Sequence, residues 1–412
     1  MRNSQERENQ PNPTRHLSLH ERLFNEILPF VTKPARYAGQ EQNAIVKPHS
    51  ESILKVALCF PEMYEIGMSY LGMHILYNII NSRKDCLAER AFAVWPDMEQ
   101  RLREKNVPLF SMESHTPLRN FDIVGFHLTY EMTYTNVLSM LDLAGVPIHS
   151  SNRADSDPIV LAGGPSVMNP EPMAEFIDAF FVGDAEEAVH EIIDSIKDAR
   201  ESKISRADSL RHLARIPGIY VPQFYEPVYN EDGNFLSLSK LNLDAPEKIK
   251  VRSIKELKTE YYPHDPLIPY TEIVHDHLPI EIMRGCVRGC RFCQAGYQYR
   301  PQRRRNPQDV ASQVMTSLAA TGHEDVTLLS LSSTDYDNLD ELLRTIAPQL
   351  SEMKVTLGLP SLRPETITAP LLDILGGGRK TGLTLAPEAG TERMRKIAGK
   401  NISDREIYQA VR

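Results

Sequence analysis

Three cysteines, Cys286, Cys290 and Cys293, stand in the string EIMRGCVRGCRFCQAGYQYRPQRRR (281–305) with the spacing C-x3-C-x2-C. Three thiolates on one short loop can ligate three corners of a four-iron, four-sulfur cubane. The fourth iron then keeps an open position. It can take a substrate's amine and carboxylate, as an open catalytic metal site takes its ligand. The neighbours suit such a group. Gly285 and Gly289 let the backbone bend tightly round an inorganic cluster. Phe292 can shield the cluster and flank an adenine, and Arg284, Arg288 and Arg291 surround its negative charge. The competing assignment is a structural zinc knuckle with His275 or His277 as fourth ligand. Zinc sites pair C-x2-C units, and this loop has no second pair.

The two other cysteines, Cys59 and Cys86, are isolated, and Cys59 lies in an apolar run that reads as core. Five cysteines in 412 residues are too few for a disulfide scaffold. Clustering of three of them suggests metal in a reducing compartment.

The elements that must position the cysteine loop alternate between strand and helix. Residues 276–412 carry strand signals at 279–284, 326–332, 354–360 and 382–387, and helix signals at 307–320, 338–350, 369–376 and 391–399. That makes four β/α units, with Arg412 inside what reads as a fifth. Residues 51–200 alternate in the same way: ILKVALCF (53–60), FAVW (92–95), DIVGFHLTY (122–130), PIVLAGGP (158–165) and AFFVG (179–183) are strands, with amphipathic helices between them. Short apolar strands alternating with helices predict a doubly wound parallel sheet. Ligands bind such sheets at the carboxyl ends of their strands. Residues 201–275 form a connector punctuated by Pro and Gly, with a hairpin signal at 230–233. Residues 1–50 read as a partly ordered leader, rich in Asn, Gln, Pro and charge.

Composition sets the outer bounds. Hydrophobic residues make up 41% and charged residues 25%, the balance of a soluble globular chain. The net charge of −9 argues against a general nucleic-acid surface and leaves a local basic patch open. No apolar run approaches the roughly 18 residues that would suggest a membrane span. The polar N-terminus lacks a secretory apolar stretch, so a cytoplasmic location is expected.

C-x3-C-x-Phe-C after a first barrel strand resembles the radical S-adenosylmethionine (SAM) superfamily. The longer string RGC-x2-GCRFCQAG-x3-YRP-x-RRR, with FPEMYEIGMSYLGMHILYNI, WPDMEQRLRE, LAGGPSVMNPEP and VGDAEEAVHEI upstream, resembles an uncharacterised family of such proteins with an N-terminal cobalamin-binding-like domain. The resemblance runs from about residue 35 to 412. It implies a cobalamin-binding-like α/β domain followed by a radical SAM (β/α) partial barrel, here truncated. Barrels of this type have six β/α units, so the chain is a fragment or its barrel is completed in another way. It also implies a [4Fe–4S] cluster, SAM, an electron donor such as flavodoxin or ferredoxin, and cleavage of SAM to a 5′-deoxyadenosyl radical. No substrate follows.

The resemblance also assigns site residues. SLSSTD (330–335) closes the second barrel strand, where Ser332, Ser333 and Thr334 offer groups to the SAM amine; the same residues suit a helix N-cap. Arg363 is a candidate for the SAM carboxylate, and Glu388 for the ribose. Arg300 could meet a phosphate or an anionic substrate such as RNA, while the run Arg303, Arg304, Arg305 reads as solvated surface. For cobalamin the chain departs from the best-known pattern, Asp-x-His-x-x-Gly. Glu62 and Gly67 stand at matching spacing, but Tyr64 holds the His position. His127 replaces a Ser that meets the cofactor's tail in other members. Gly163, Gly164 and Gly183 offer close backbone approach. Two outcomes stay open: cobalamin bound with no protein nitrogen on cobalt and Tyr64 beneath its ring, or a domain that has lost cobalamin. Outside enzymes, the alternative is a binding module with a degenerate barrel. Cys59 and Cys86 cannot supply the second three-cysteine cluster of the methylthiotransferase branch.

Overall fold

The run LKVALCF forms strand β1 (Leu54–Phe60), with six of its seven residues buried. Such a run belongs to a parallel strand covered on both faces. The helix that follows, α1 (Leu71–Ser82), lays Met73, Tyr77 and Ile80 on the sheet. Around β1 assemble β2 (Cys86–Phe92), β3 (Ile123–His127), β4 (Ile159–Gly163), β5 (Ala179–Phe181) and β6 (Ile219–Tyr220) in the order β2-β1-β3-β4-β5-β6. The first five are parallel, and β6 is antiparallel. This computed structural model describes residues 18–366, 371 and 384–412.

One expectation needs correction. The second strand is Cys86–Phe92 and takes only Phe92 from FAVW. Its centre carries Glu89 and Arg90, which hide the strand in the sequence. Arg90 is fully buried and donates to Glu41 at 2.9 Å and to Glu113 at 2.6 Å. Part of the leader packs on the first sheet. Leu23, Ile27, Leu28, Val31 and Tyr37 join the same core as Met98 and Leu102 of α2 (Pro96–Lys105). The apolar stretch LFNEILPFV is what packs. Residues 1–17 lie outside the described residues.

Beyond α3 (Tyr134–Ala144), α4 (Ala188–Glu201) and α5 (Arg206–Ala214), the connector contains the expected hairpin, β7 (Tyr225–Tyr229) with β8 (Phe235–Lys240). The second body is a parallel sheet in the order β13-β12-β9, from β9 (Leu278–Glu281), β12 (Asp325–Leu329) and β13 (Thr356–Gly358). Helices α6 (Pro307–Thr321) and α7 (Leu339–Met353) cover it through Val310, Val314, Leu342 and Ile346. Of the fourth strand expected at 382–387, the described part makes one parallel bridge, Leu362 to Leu385. The helix expected at 369–376 lies outside the described residues except for Leu371. Helices α8 (Glu392–Ile397) and α9 (Asp404–Val411) follow.

One helix α1 side chain predicts a pH dependence. His74 is buried, its Nε2 lies 2.9 Å from the Met68 carbonyl oxygen, and burial pushes its pKa down to about 4. The unfolded chain therefore takes up a proton below the ordinary histidine value of about 6.5 that the folded chain refuses. Stability is complete above that pH and falls as the pH drops from there towards 4. Urea midpoints between pH 7.5 and 5 should decline, and His74→Gln should flatten the profile in part.

Candidate functional site

The cysteine loop hangs between two short strands. Strand β10 (Met283–Arg284) pairs antiparallel with β11 (Arg303–Arg304), which closes the neck of residues 285–302. Gly285 sits at the neck with φ +85°, and a Cβ there would stand 2.4 Å from the Tyr299 carbonyl oxygen. Only glycine fits. Gly285→Ala is expected to lower the iron bound per chain on anaerobic reconstitution, read by iron assay and absorbance, with the three cysteines intact.

Within the loop, the backbone N–H of Arg288 donates to Cys286 Sγ at 3.4 Å, and that of Gly296 to Cys293 Sγ at 3.4 Å. Such donors stabilise thiolates and tune a cluster held on them. The backbone N–H of Arg291 donates to the Ala398 carbonyl at 2.9 Å, so the end of α8 caps the loop. His275 and His277 line a small pocket with His74 and His323, a pocket that contains none of the cysteines. Among the described residues no three His, Cys, Asp or Glu side chains converge on a single-ion position. The donor set is three thiols on one loop, the number that a cubane with one open iron needs. Phe292 is 57% exposed.

The end of β12 meets this loop. Arg288 pairs with Asp335, whose carboxyl is raised by burial but brought below its usual range by that partner. Ser333 donates to the Pro360 carbonyl at 2.6 Å, and Ser330 donates to Ser333 at 3.1 Å. Ser332 is buried, and its hydroxyl helps hold the Asp335 carboxylate. Arg363 is buried and paired with Glu365. Arg288, whose backbone meets Cys286, thus reaches the end of β12 through Asp335, and the charge of Arg363 acts on the same carboxylate. Glu388 is apart from this group: it is exposed and pairs with Lys400 at 3.0 Å.

The arginine run is not a solvated face. Arg303 and Arg305 are buried. Arg303 pairs with Asp184, and Arg305 lies over the Tyr262 ring at 3.9 Å. Only Arg304 reaches solvent, beside Asp337. Arg300 lies over the Tyr297 ring at 4.7 Å. The reason is Asp184, in the segment VGDAEEAVHEI (182–192). Asp184 also accepts from Arg284 at 3.0 Å, and Arg284 pairs with Glu186 at 2.6 Å and Glu281 at 2.8 Å. Burial raises the Glu186 carboxyl, and neighbouring Asp184 adds to this against the pull of Arg284. A buried charge network therefore ties the last turn of the first sheet to the residue two before Cys286. The sequence shows the acidic turn and the arginines, but not that they meet.

Between the two bodies lies a cavity of about 540 Å³. One wall is the carboxyl end of the first sheet, with His127, Gly163, Gly164 and Gly183; the other includes Met283 and Gly285 beside the cysteine loop. Gly164 and Gly183 take positive φ for the sake of other backbone: a Cβ would stand 2.6 Å from the Leu128 carbonyl oxygen and 2.0 Å from that of Arg252. Gly163 has only the Phe181 carbonyl oxygen near, at 3.9 Å.

Glu62, Tyr64 and Gly67 do not line the cavity. Tyr64 is buried and donates to Glu41 at 3.0 Å, Glu62 accepts from Tyr130, and Gly67 packs against the Phe92 ring. Residues Tyr64–Gly67 form one helical turn. That turn faces the Arg90 ion pairs, where a phenol can satisfy a buried carboxylate. Tyr64 is thus not available beneath a ligand in the cavity.

Both parts of the chain resemble known proteins. Residues 72–222 match the family described as "Radical SAM proteins, N-terminal", and residues 280–412 match the "Radical SAM superfamily". The uncharacterized protein MJ0966 of Methanocaldococcus jannaschii is 28% identical over 87% of this chain, and the match spans 66% of that protein. The radical SAM methyltransferase TsrM of Kitasatospora setae, solved with tryptophan and a SAM analogue, matches 87% of this chain and 64% of its own, at 14% identity and TM-score 0.56. The cobalamin-dependent SAM radical enzyme OxsB, solved with aqua-cobalamin and SAM, matches at 14% identity and TM-score 0.52 over 87% of this chain and 47% of its own. The chain therefore spans about two thirds or less of these relatives, and the solved structures speak for its fold. An α/β sheet domain of the first family, followed by a β/α body that carries C-x3-C-x2-C after its first strand, makes this chain a radical SAM protein.

Proposed function

We propose that the protein cleaves SAM reductively at a [4Fe–4S] cluster held by Cys286, Cys290 and Cys293, with a corrinoid in the cavity between the two bodies. The observation that carries this reading is the loop itself: three thiols closed by β10 and β11, opening beside a 540 Å³ cavity. Held there, the cluster supplies the electron that splits the SAM sulfonium into methionine and a 5′-deoxyadenosyl radical. The chain's own residues bind and orient. Arg288 and Asp335 brace the loop against the end of β12, where Ser332, beside Asp335, is assigned to the SAM amine and Arg363 to the carboxylate. The Arg284 network holds the loop against the cavity and keeps water from its buried side.

The cavity offers an apolar wall to the face of a planar ring. Its walls are aliphatic along α1 (Leu71, Leu76, Ile80) and carry open backbone at Gly163. A corrinoid there would supply a cobalt centre that can carry a methyl group. A second reading leaves the cavity to the substrate, and the absence of Glu62, Tyr64 and Gly67 from its walls favours it. Electrons would come from a small donor such as flavodoxin or ferredoxin. Thiol-ligated iron belongs in a reducing compartment, so we assign the protein to the cytoplasm. Among the described residues no helix is long and apolar enough to cross a membrane.

The test is anaerobic reconstitution with iron and sulfide, then SAM and dithionite. About four irons per chain and 5′-deoxyadenosine are expected. S-adenosylhomocysteine should be followed in the same samples to detect methyl transfer. Tight zinc without iron–sulfur absorbance, or fully loaded protein that leaves SAM intact, would overturn the reading.

A further inference from the structure

Arg284 and Arg303 stand directly opposite each other in the register of β10 and β11, the pair that closes the neck of the cysteine loop. Like charges at facing positions of an antiparallel pair repel, and burial strengthens the repulsion. Both side chains are largely buried, with 14% and 5% of their surface exposed. The neck therefore closes only where an anion is supplied between them. That anion comes from the first body. Asp184 turns one carboxylate oxygen to each arginine: Oδ1 accepts from Arg284 at 3.0 Å, and Oδ2 accepts from Arg303. Arg284 has Glu186 and Glu281 as further partners, but Asp184 is the one carboxylate that Arg303 meets among the described residues.

Asp184 is itself held from its own side. Its backbone N–H donates to the Arg252 carbonyl at 2.8 Å, and the Ile254 N–H donates to its carboxylate at 3.2 Å. Gly183, before it, admits the Arg252 backbone where a Cβ would collide. On the other side only Gly285 separates Arg284 from Cys286. The charges of this clasp are thus fixed close to the first cluster ligand and shielded from water. The other arginines of the loop differ: the Arg288 side chain is 35% exposed and Arg291 is exposed, so water and salt screen them.

We infer that Asp184, a residue of the first body, positions the cysteine loop and, through Arg284, sets the reduction potential of the cluster held on it. The inference rests on the [4Fe–4S] reading above and needs no ligand in the cavity. Reduction adds one negative charge to the cluster. A buried cation beside its first ligand favours that charge, and a buried anion opposes it. The N-terminal body thereby takes a share in the redox step.

The test uses the full chain, reconstituted anaerobically with iron and sulfide. Iron per chain and circular dichroism are measured first. The midpoint potential is then read by redox titration, followed by electron paramagnetic resonance of the reduced cluster. Asp184→Asn should lower the iron bound per chain and move the midpoint of the remaining cluster upwards, because an anion is lost. Arg284→Gln should move it downwards. A loop that is merely loosened gives no such shifts of opposite sign. Adding Arg303→Gln to Asp184→Asn should recover iron binding, since Arg284 then no longer faces a like charge. This double variant decides the matter where Asp184→Asn alone holds no cluster. Midpoints that stay in place or move together in the two single variants, or a double variant that regains no iron, overturn the role of Asp184 alone. A parent chain that assembles no cluster overturns the [4Fe–4S] reading and this inference with it.

Discussion

Alanine at any one of Cys286, Cys290 and Cys293 should bring 5′-deoxyadenosine formation to background and iron content well below that of the parent protein. Each of the three thiolates holds one corner of the proposed cubane, and none has a substitute nearby. The other free cysteines are Cys59 and Cys86, both buried in the first sheet. Burial pushes both thiols up, Cys86 to about 11, which disfavours the thiolate a metal needs. Cys59→Ala and Cys86→Ala should therefore leave iron content unchanged even where they lower stability. Serine variants of the loop cysteines keep the fold and separate loss of the ligand from loss of the loop. Iron per chain, absorbance near 400 nm, roughly, and chromatographic detection of 5′-deoxyadenosine provide the readout. Full activity in any single loop variant would sink the assignment.

The second large effect is on stability. Arg90→Ala should cost about 3–5 kcal/mol, because it leaves Glu41 and Glu113 buried without their cation. Both carboxylates are as buried as the arginine they face, and Glu113 also accepts from the Arg90 backbone N–H at 2.7 Å. Tyr64 adds its hydroxyl to Glu41, so the loss should spread to the turn after β1. Urea unfolding of the apo-protein reads this as a fall in midpoint. Arg101→Ala, which breaks an exposed pair with Glu104, is the control and should stay within about 0.5 kcal/mol. Replacing Arg90 by Met together with Glu41 and Glu113 by Gln should recover much of the loss, since an uncharged trio leaves no buried ion. A cost below about 1 kcal/mol for Arg90→Ala would mean that water reaches the site.

The part of this protein that the sequence determined by itself is what depends on local pattern. Cysteine spacing specifies three ligands on one loop whatever surrounds it. Unbroken apolar runs such as LKVALCF and IVLAG specify buried parallel strands, because only covered strands tolerate apolar residues on both faces. Capping and glycine signals then place the helices, as Asn306 does for α6 and Gly145 for α3.

What tertiary structure decided is how distant charges and loops are matched. CLAERAF reads as polar until Glu41 and Glu113, on separate segments, neutralise Arg90. RRR reads as surface until Asp184, more than a hundred residues earlier, meets Arg303. The motif position after β1 reads as a ligand loop until its turn is seen to serve Arg90, while His127, read only as a replaced serine, lies on the cavity wall. Burying a charge is costly unless a partner is supplied, and the partner can come from anywhere in the chain. That pairing is a property of three-dimensional proximity, and no local window of sequence contains it.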